Sequence, residues 1–134
     1  MKTLPEIILP YDRKYTDEHV WAKTDGIEII VGISDFAQDQ LGEIVYVDLP
    51  TAGDHFAAED GFGTVESIKS VNTLYMPVSG TVTAVNQNLE TNPTLINTDC
   101  YDQAWMIRIK PDSDTTLDSL LAAEEYLTIL KQKI

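Results

Sequence analysis

Alternation of apolar and polar residues with a period of two runs through most of this chain, and it commits the fold to β-structure. Ile27, Ile29, Val31 and Ile33 share one face of an extended segment. Val45, Val47 and Leu49 share one face of the next, with Glu43 leading in and Pro50 closing it. Trp105, Ile107 and Ile109 fall on one side of a third, with Met106, Arg108 and Lys110 on the other. That period belongs to strands with one face on a core and the other towards water. Val65 and Val71 flank a short segment with a polar tip, and Val82 and Val85 follow the turn signal Pro77-Val78-Ser79-Gly80. Many short strands with turn signals between them predict an all-β sandwich or barrel.

Helical periodicity is confined to two places. Ser34 is placed to cap a short helix over Asp35 to Leu41, with Gly42 as its stop. From Thr116 onward, apolar residues recur at Leu117, Leu120, Leu121, Leu127 and Leu130, and Lys131 and Lys133 suit the negative end of a helix dipole. This C-terminal helix is expected to pack on the sheet from outside. Pro93 and its Asn/Thr-rich surroundings mark a loop or a single turn. The 134 residues show no linker and no repeat, so residues 1–134 are read as a single domain.

Nine Lys and Arg against 22 Asp and Glu leave a net charge of −13. A field of that sign repels phosphate backbones and anionic membrane surfaces, so neither nucleic acid nor membrane is an expected partner. Cys100 is the only cysteine, which excludes an internal disulfide framework and a four-thiolate zinc site. No apolar signal-peptide core follows Lys2, and runs such as Ile29-Ile30-Val31 fall far short of the ~18 residues of a membrane span. The expected location is cytoplasmic.

Enzymatic constellations are absent from the pattern. His19 and His55 sit in no metal-binding motif, and no metal is expected. Cys100 could act as a nucleophile only beside a base. Gly61-Phe62-Gly63 lacks the later glycine and following helix of a phosphate loop, and reads as a turn signal. The acids Asp35, Asp39, Glu43, Asp48, Asp54, Glu59, Asp60 and Glu66 are a solvated surface or a docking field for basic proteins. One segment stands apart: in Val65-Glu66-Ser67-Ile68-Lys69-Ser70-Val71, Lys69 lies at the tip of a tight hairpin between two apolar strand segments.

At this point the chain resembles the glycine cleavage H-protein family. The matching runs, in order, are Tyr15-Thr16-Asp17-Glu18-His19-Val20-Trp21, Val31 to Gln38, Leu41 to Pro50, Glu66-Ser67-Ile68-Lys69-Ser70, Pro77-Val78-Ser79-Gly80, Val85-Asn86, Trp105-Met106-Ile107 and Leu120-Leu121. The resemblance implies a mainly β, lipoyl-domain-like barrel-sandwich hybrid with short helices and a C-terminal helix. It implies lipoate in amide linkage on Lys69, with Glu66, Ser67 and Ile68 recognised by the lipoate ligase or lipoyl transferase that attaches it. Biotin carriers place methionines beside the lysine, and Ile68 and Ser70 do not fit that pattern. The implied role is that of a carrier, not an enzyme: a tethered arm moves an intermediate between partners at high effective concentration.

Two departures bear on the cargo. The family's opening motif usually reads E-H-E-W, and an acid usually follows the lipoyl lysine by four; here these positions are Val20 and Thr73. Loss of both carboxylates predicts weak retention of a cationic aminomethyl group. Cys100 and Ala104 also stand where the family often has Pro and Gly. The reading therefore leans to a lipoate-binding protein of sulfur oxidation, working with a heterodisulfide-reductase-like complex. The alternatives are the glycine carrier, whose partners are glycine decarboxylase, aminomethyltransferase and dihydrolipoamide dehydrogenase, and an unlipoylated adaptor.

Overall fold

The computed structural model describes residues 3–113 and 117–133. Two antiparallel sheets pack face to face. The larger has the strand order β1 (Lys14–Tyr15), β2 (Val20–Asp25), β3 (Glu28–Ile33), β9 (Ile107–Pro111), β8 (Gly80–Val85), β5 (His55–Phe56). The smaller has the order β4 (Ile44–Asp48), β6 (Gly61–Ser67), β7 (Val71–Tyr75). Among the described residues four α-helical segments accompany the sheets: α1 (Asp35–Leu41), the single turns α2 (Asn88–Thr91) and α3 (Leu95–Thr98) on either side of Pro93, and α4 (Ala123–Lys133). Among the described residues no helix is long and apolar enough to cross a membrane.

The main core lies between the sheets. Ile29, Val31 and Ile33 from β3, Ile107 and Ile109 from β9, Val82 from β8 and Val65 from β6 all enter it. A second, smaller core forms on the opposite side of β2, where Tyr15, Trp21 and Phe36 meet Ala123, Tyr126 and Leu130. β2 is thus buried on both faces at its start: Val20 and Ala22 point into one core and Trp21 into the other. Trp21 pairs in register with Gly32, and a Cβ at that glycine would lie 2.6 Å from the indole ring. Only a residue without a side chain fits opposite that tryptophan.

The helix over Asp35–Leu41 is as expected. Ser34 Oγ accepts the Ala37 N–H, and the Gly42 N–H closes on the Gln38 carbonyl. The C-terminal helix is shorter than its periodicity predicts. Leu117–Ser119 form a 3₁₀ turn, and Leu121 bridges Tyr15 backbone to backbone before the helix begins at Ala123. The Glu125 carboxylate accepts the Ala122 N–H, the reciprocal contact of a capping box, which sets the start there. Thr116, the predicted start of the periodicity, lies outside the described residues.

Three strand readings and one turn reading are corrected. A bulge between Ile44 and Tyr46 breaks the phase of β4, so Ile44 and Val47 are buried while Val45 and Tyr46 face water. Ile27 is exposed because it follows Gly26 (φ +64°) in the β2–β3 turn rather than lying in β3. Trp105 and Met106 precede β9: Met106 enters the main core and Trp105 packs on the second. Gly61-Phe62-Gly63 is not a turn but the start of β6, where a bulge accommodates both glycines and Phe62 is buried.

Candidate functional site

Lys69 stands at the apex of the β6–β7 hairpin, and Ser67 holds the turn from below. Ser67 is buried, and its N–H donates to the Ser70 carbonyl at 2.8 Å. Its hydroxyl oxygen accepts the N–H groups of Lys69 and Ser70, each at 3.1 Å. One short side chain thereby satisfies both backbone donors of the tip. The Asn72 amide donates to Ser70 Oγ at 3.0 Å, and the Ile68 N–H donates to the Glu43 carbonyl at 3.3 Å. The backbone is pinned on both sides, while the side chains of Ile68 and Lys69 are exposed. Glu66 is half-buried in β6.

The lysine stem crosses the C-terminal end of α1. Nζ donates to the Gln40 carbonyl oxygen at 3.3 Å, and carbonyls in a helix's last turn lack an intrahelical donor and favour cations. Gly42, with φ +80° and ψ −157°, adopts a conformation that side chains disfavour, and a Cβ there would come within 3.2 Å of Lys69 Cε. The same glycine ends the helix and leaves room for the stem.

Beside the stem lies a groove of about 560 Å³, lined by residues of α1 and the edge strand β7. Ile33, Phe36 and Leu74 make its apolar wall, and Glu18, His19 and Thr73 contribute polar groups. Gln40 lines it too, so the Lys69 amine rests at its margin. His19 is held in the left-handed region (φ +69°), with Nδ1 2.7 Å from the Tyr126 hydroxyl and its ring 5.0 Å from that of Phe36.

The two positions that depart from the family pattern separate here. Thr73 lines the groove. Val20 is buried in the main core, opposite groove-lining Ile33 in the β2–β3 register. Glu18 is the carboxylate among the described residues that line the groove. Sequence reasoning missed Glu18, Gln40 and the second use of Gly42, because their placement depends on how α1 crosses the hairpin and on how the β1–β2 turn meets the groove. His55 pairs with Asp112 on the surface, and Cys100 is buried, its carbonyl accepting the Trp21 indole N–H. Neither lines the groove. No group of three or more His, Cys, Asp or Glu among the described residues could hold a metal ion.

The model of the glycine cleavage H-protein family matches residues 13–133. The chain belongs to that family. It is 44% identical over 125 residues to the glycine cleavage system H protein of Halalkalibacterium halodurans, covering 93% of this chain and 98% of that one. It is 45% identical over 126 residues to the H protein of Carboxydothermus hydrogenoformans, covering 94% and 97%. The crystal structure of the H protein from Mycobacterium marinum superposes with a TM-score of 0.83 at 33% identity, covering 94% of this chain and all of that one. The expected barrel-sandwich hybrid is the fold found. Members of the family are lipoyl carriers rather than enzymes, with lipoate attached covalently to a lysine.

Proposed function

We infer that this chain carries lipoate on Lys69 and that the loaded arm serves glycine cleavage, passing an aminomethyl group among glycine decarboxylase, aminomethyltransferase and dihydrolipoamide dehydrogenase. The observation that carries the reading is an exposed lysine on a pinned turn, its amine at the margin of a groove. The residues present fit an acylated lysine, because Gly42 leaves space along the stem that a Cβ would narrow. When attached, the group supplies a dithiolane open to thiol–disulfide exchange. The protein's own part is to present the amine, shelter the arm and supply charge.

The names of the relatives favour the glycine carrier over the sulfur carrier to which the sequence reading leans. Glu18 weakens the argument that favoured sulfur: the groove retains a carboxylate to attract a cationic cargo although Val20 and Thr73 carry none.

Two measurements test this. Treatment with lipoate ligase, ATP and lipoate should add one lipoyl mass, located on Lys69 by peptide mapping. A label on another lysine would overturn the assignment. The lipoylated protein, mixed with glycine decarboxylase and aminomethyltransferase, should then support carbon dioxide release from glycine. No release would return the reading to a sulfur cargo, and an adaptor would keep its function in Lys69→Ala.

A further inference from the structure

The apolar side chains that this protein exposes are not scattered. Of the seven large ones exposed among the described residues, four lie on the Lys69 hairpin or on the strand paired with it: Val45, Tyr46, Ile68 and Val71. The β4 bulge turns Val45 and Tyr46 outward together, 42% and 57% exposed, where a regular strand would bury one of them. Tyr46 pairs in register with Glu66, and Glu66 with Val71, so the three form one row across the outer face of the small sheet. Ile68 joins them at the tip, where its N–H is bonded to the Glu43 carbonyl.

Charge along the segment that spans this sheet is of one sign apart from Lys69. Between residues 43 and 75, Lys69 is the only Lys or Arg, against the six carboxylates of Glu43, Asp48, Asp54, Glu59, Asp60 and Glu66. Glu66 lies within the apolar row, and Asp48 is in the next row of the same sheet face. Exposed apolar groups bordered by charge mark a protein-binding surface.

We propose that the Tyr46–Glu66–Val71 row is the docking surface for the enzyme that acylates Lys69, and that the enzyme meets it with an apolar patch edged by Lys and Arg. This rests on the reading of Lys69 as the attachment site. Reach selects the occupant. The acylating enzyme reacts at Nζ itself and must come within one side chain's length of the tip. Enzymes that act on the far end of the arm need not touch this sheet. In the reaction, the unprotonated amine attacks the carbonyl carbon of an acyl adenylate. The N–C bond forms, the C–O bond to phosphate breaks, AMP leaves, and the amine's proton passes to water.

The test compares the full-length protein with Tyr46→Ser and Val71→Ser, using a lipoate ligase with ATP and lipoate and following mass gain on Lys69. Each variant should lose roughly tenfold in kcat/KM, chiefly through KM, as expected for removal of a contact anchor. Lys69 should react with acetic anhydride as fast as in the parent, since a small reagent needs no docking, and thermal stability should be unchanged. Glu66→Gln should slow lipoylation at low salt and much less at high salt. Parent rates on Lys69 in both serine variants would overturn the docking surface alone. A parent protein lipoylated elsewhere would overturn the Lys69 reading and the docking surface with it.

Discussion

His19 Nδ1 and the Tyr126 hydroxyl stand 2.7 Å apart although 107 positions separate them in sequence. The same hydroxyl lies 2.8 Å from Ser34 Oγ, and the Tyr126 ring stacks on Tyr15 with centroids 4.9 Å apart. One side chain of α4 therefore ties the groove wall to the cap of α1, the helix on whose other end Lys69 rests. Tyr126→Phe keeps the ring and removes the bond. It should destabilise the protein by about 1–3 kcal/mol, because the buried Ser34 hydroxyl loses a partner. Urea unfolding measures this, and an unchanged midpoint would show that the bridge carries no weight.

Gly42→Ala places a Cβ in a backbone region that strongly favours glycine and against the Lys69 stem. The expected loss is about 1–3 kcal/mol of stability. Amide resonances of residues 67–70 should shift as the stem moves. Shifts confined to α1 would show that Gly42 serves the helix alone.

Burial raises the pKa of Tyr15, Tyr101 and Tyr126 above the ordinary tyrosine value. A raised folded value means that the native state holds these protons more tightly than the unfolded chain. Their contribution to stability is full below about pH 10, where both states are protonated, and declines as pH rises further. Alkaline titration should therefore show tyrosinate absorbance from these residues rising together with loss of tertiary structure. Three buried phenolates formed in an intact fold would contradict this.

Thr73→Asp places a carboxylate in the groove without disturbing the core, since Thr73 is exposed on β7. Aminomethyl-loaded protein should hold its cargo longer, by roughly tenfold if one charge-assisted hydrogen bond forms. Release of formaldehyde from the loaded arm measures the retention. Val20→Glu should behave differently. Its Cβ lies in the main core, so the variant should be less stable at neutral pH and recover as acid protonates the new carboxyl.

Much of this protein is legible in one dimension because the relevant physics is local. Period-two alternation announces strands, Ser34 and Gly42 bracket a helix, and the polar residues around Lys69 announce a turn. Where a local rule failed, a tertiary contact had overridden it. The bulge in β4 inverted Val45, and the bridge between Leu121 and Tyr15 delayed the last helix to Ala123.

The amino-acid order by itself determined the two-sheet fold, the family and the lysine at the tip, because each is encoded in neighbours a few residues apart. Only the tertiary structure decided what surrounds that lysine. Gln40, Gly42, Glu18 and Tyr46 lie between 23 and 51 residues before it in the chain, and only the packing of α1 and β4 against the hairpin, with the β1–β2 turn reaching the groove beside it, could bring them around it.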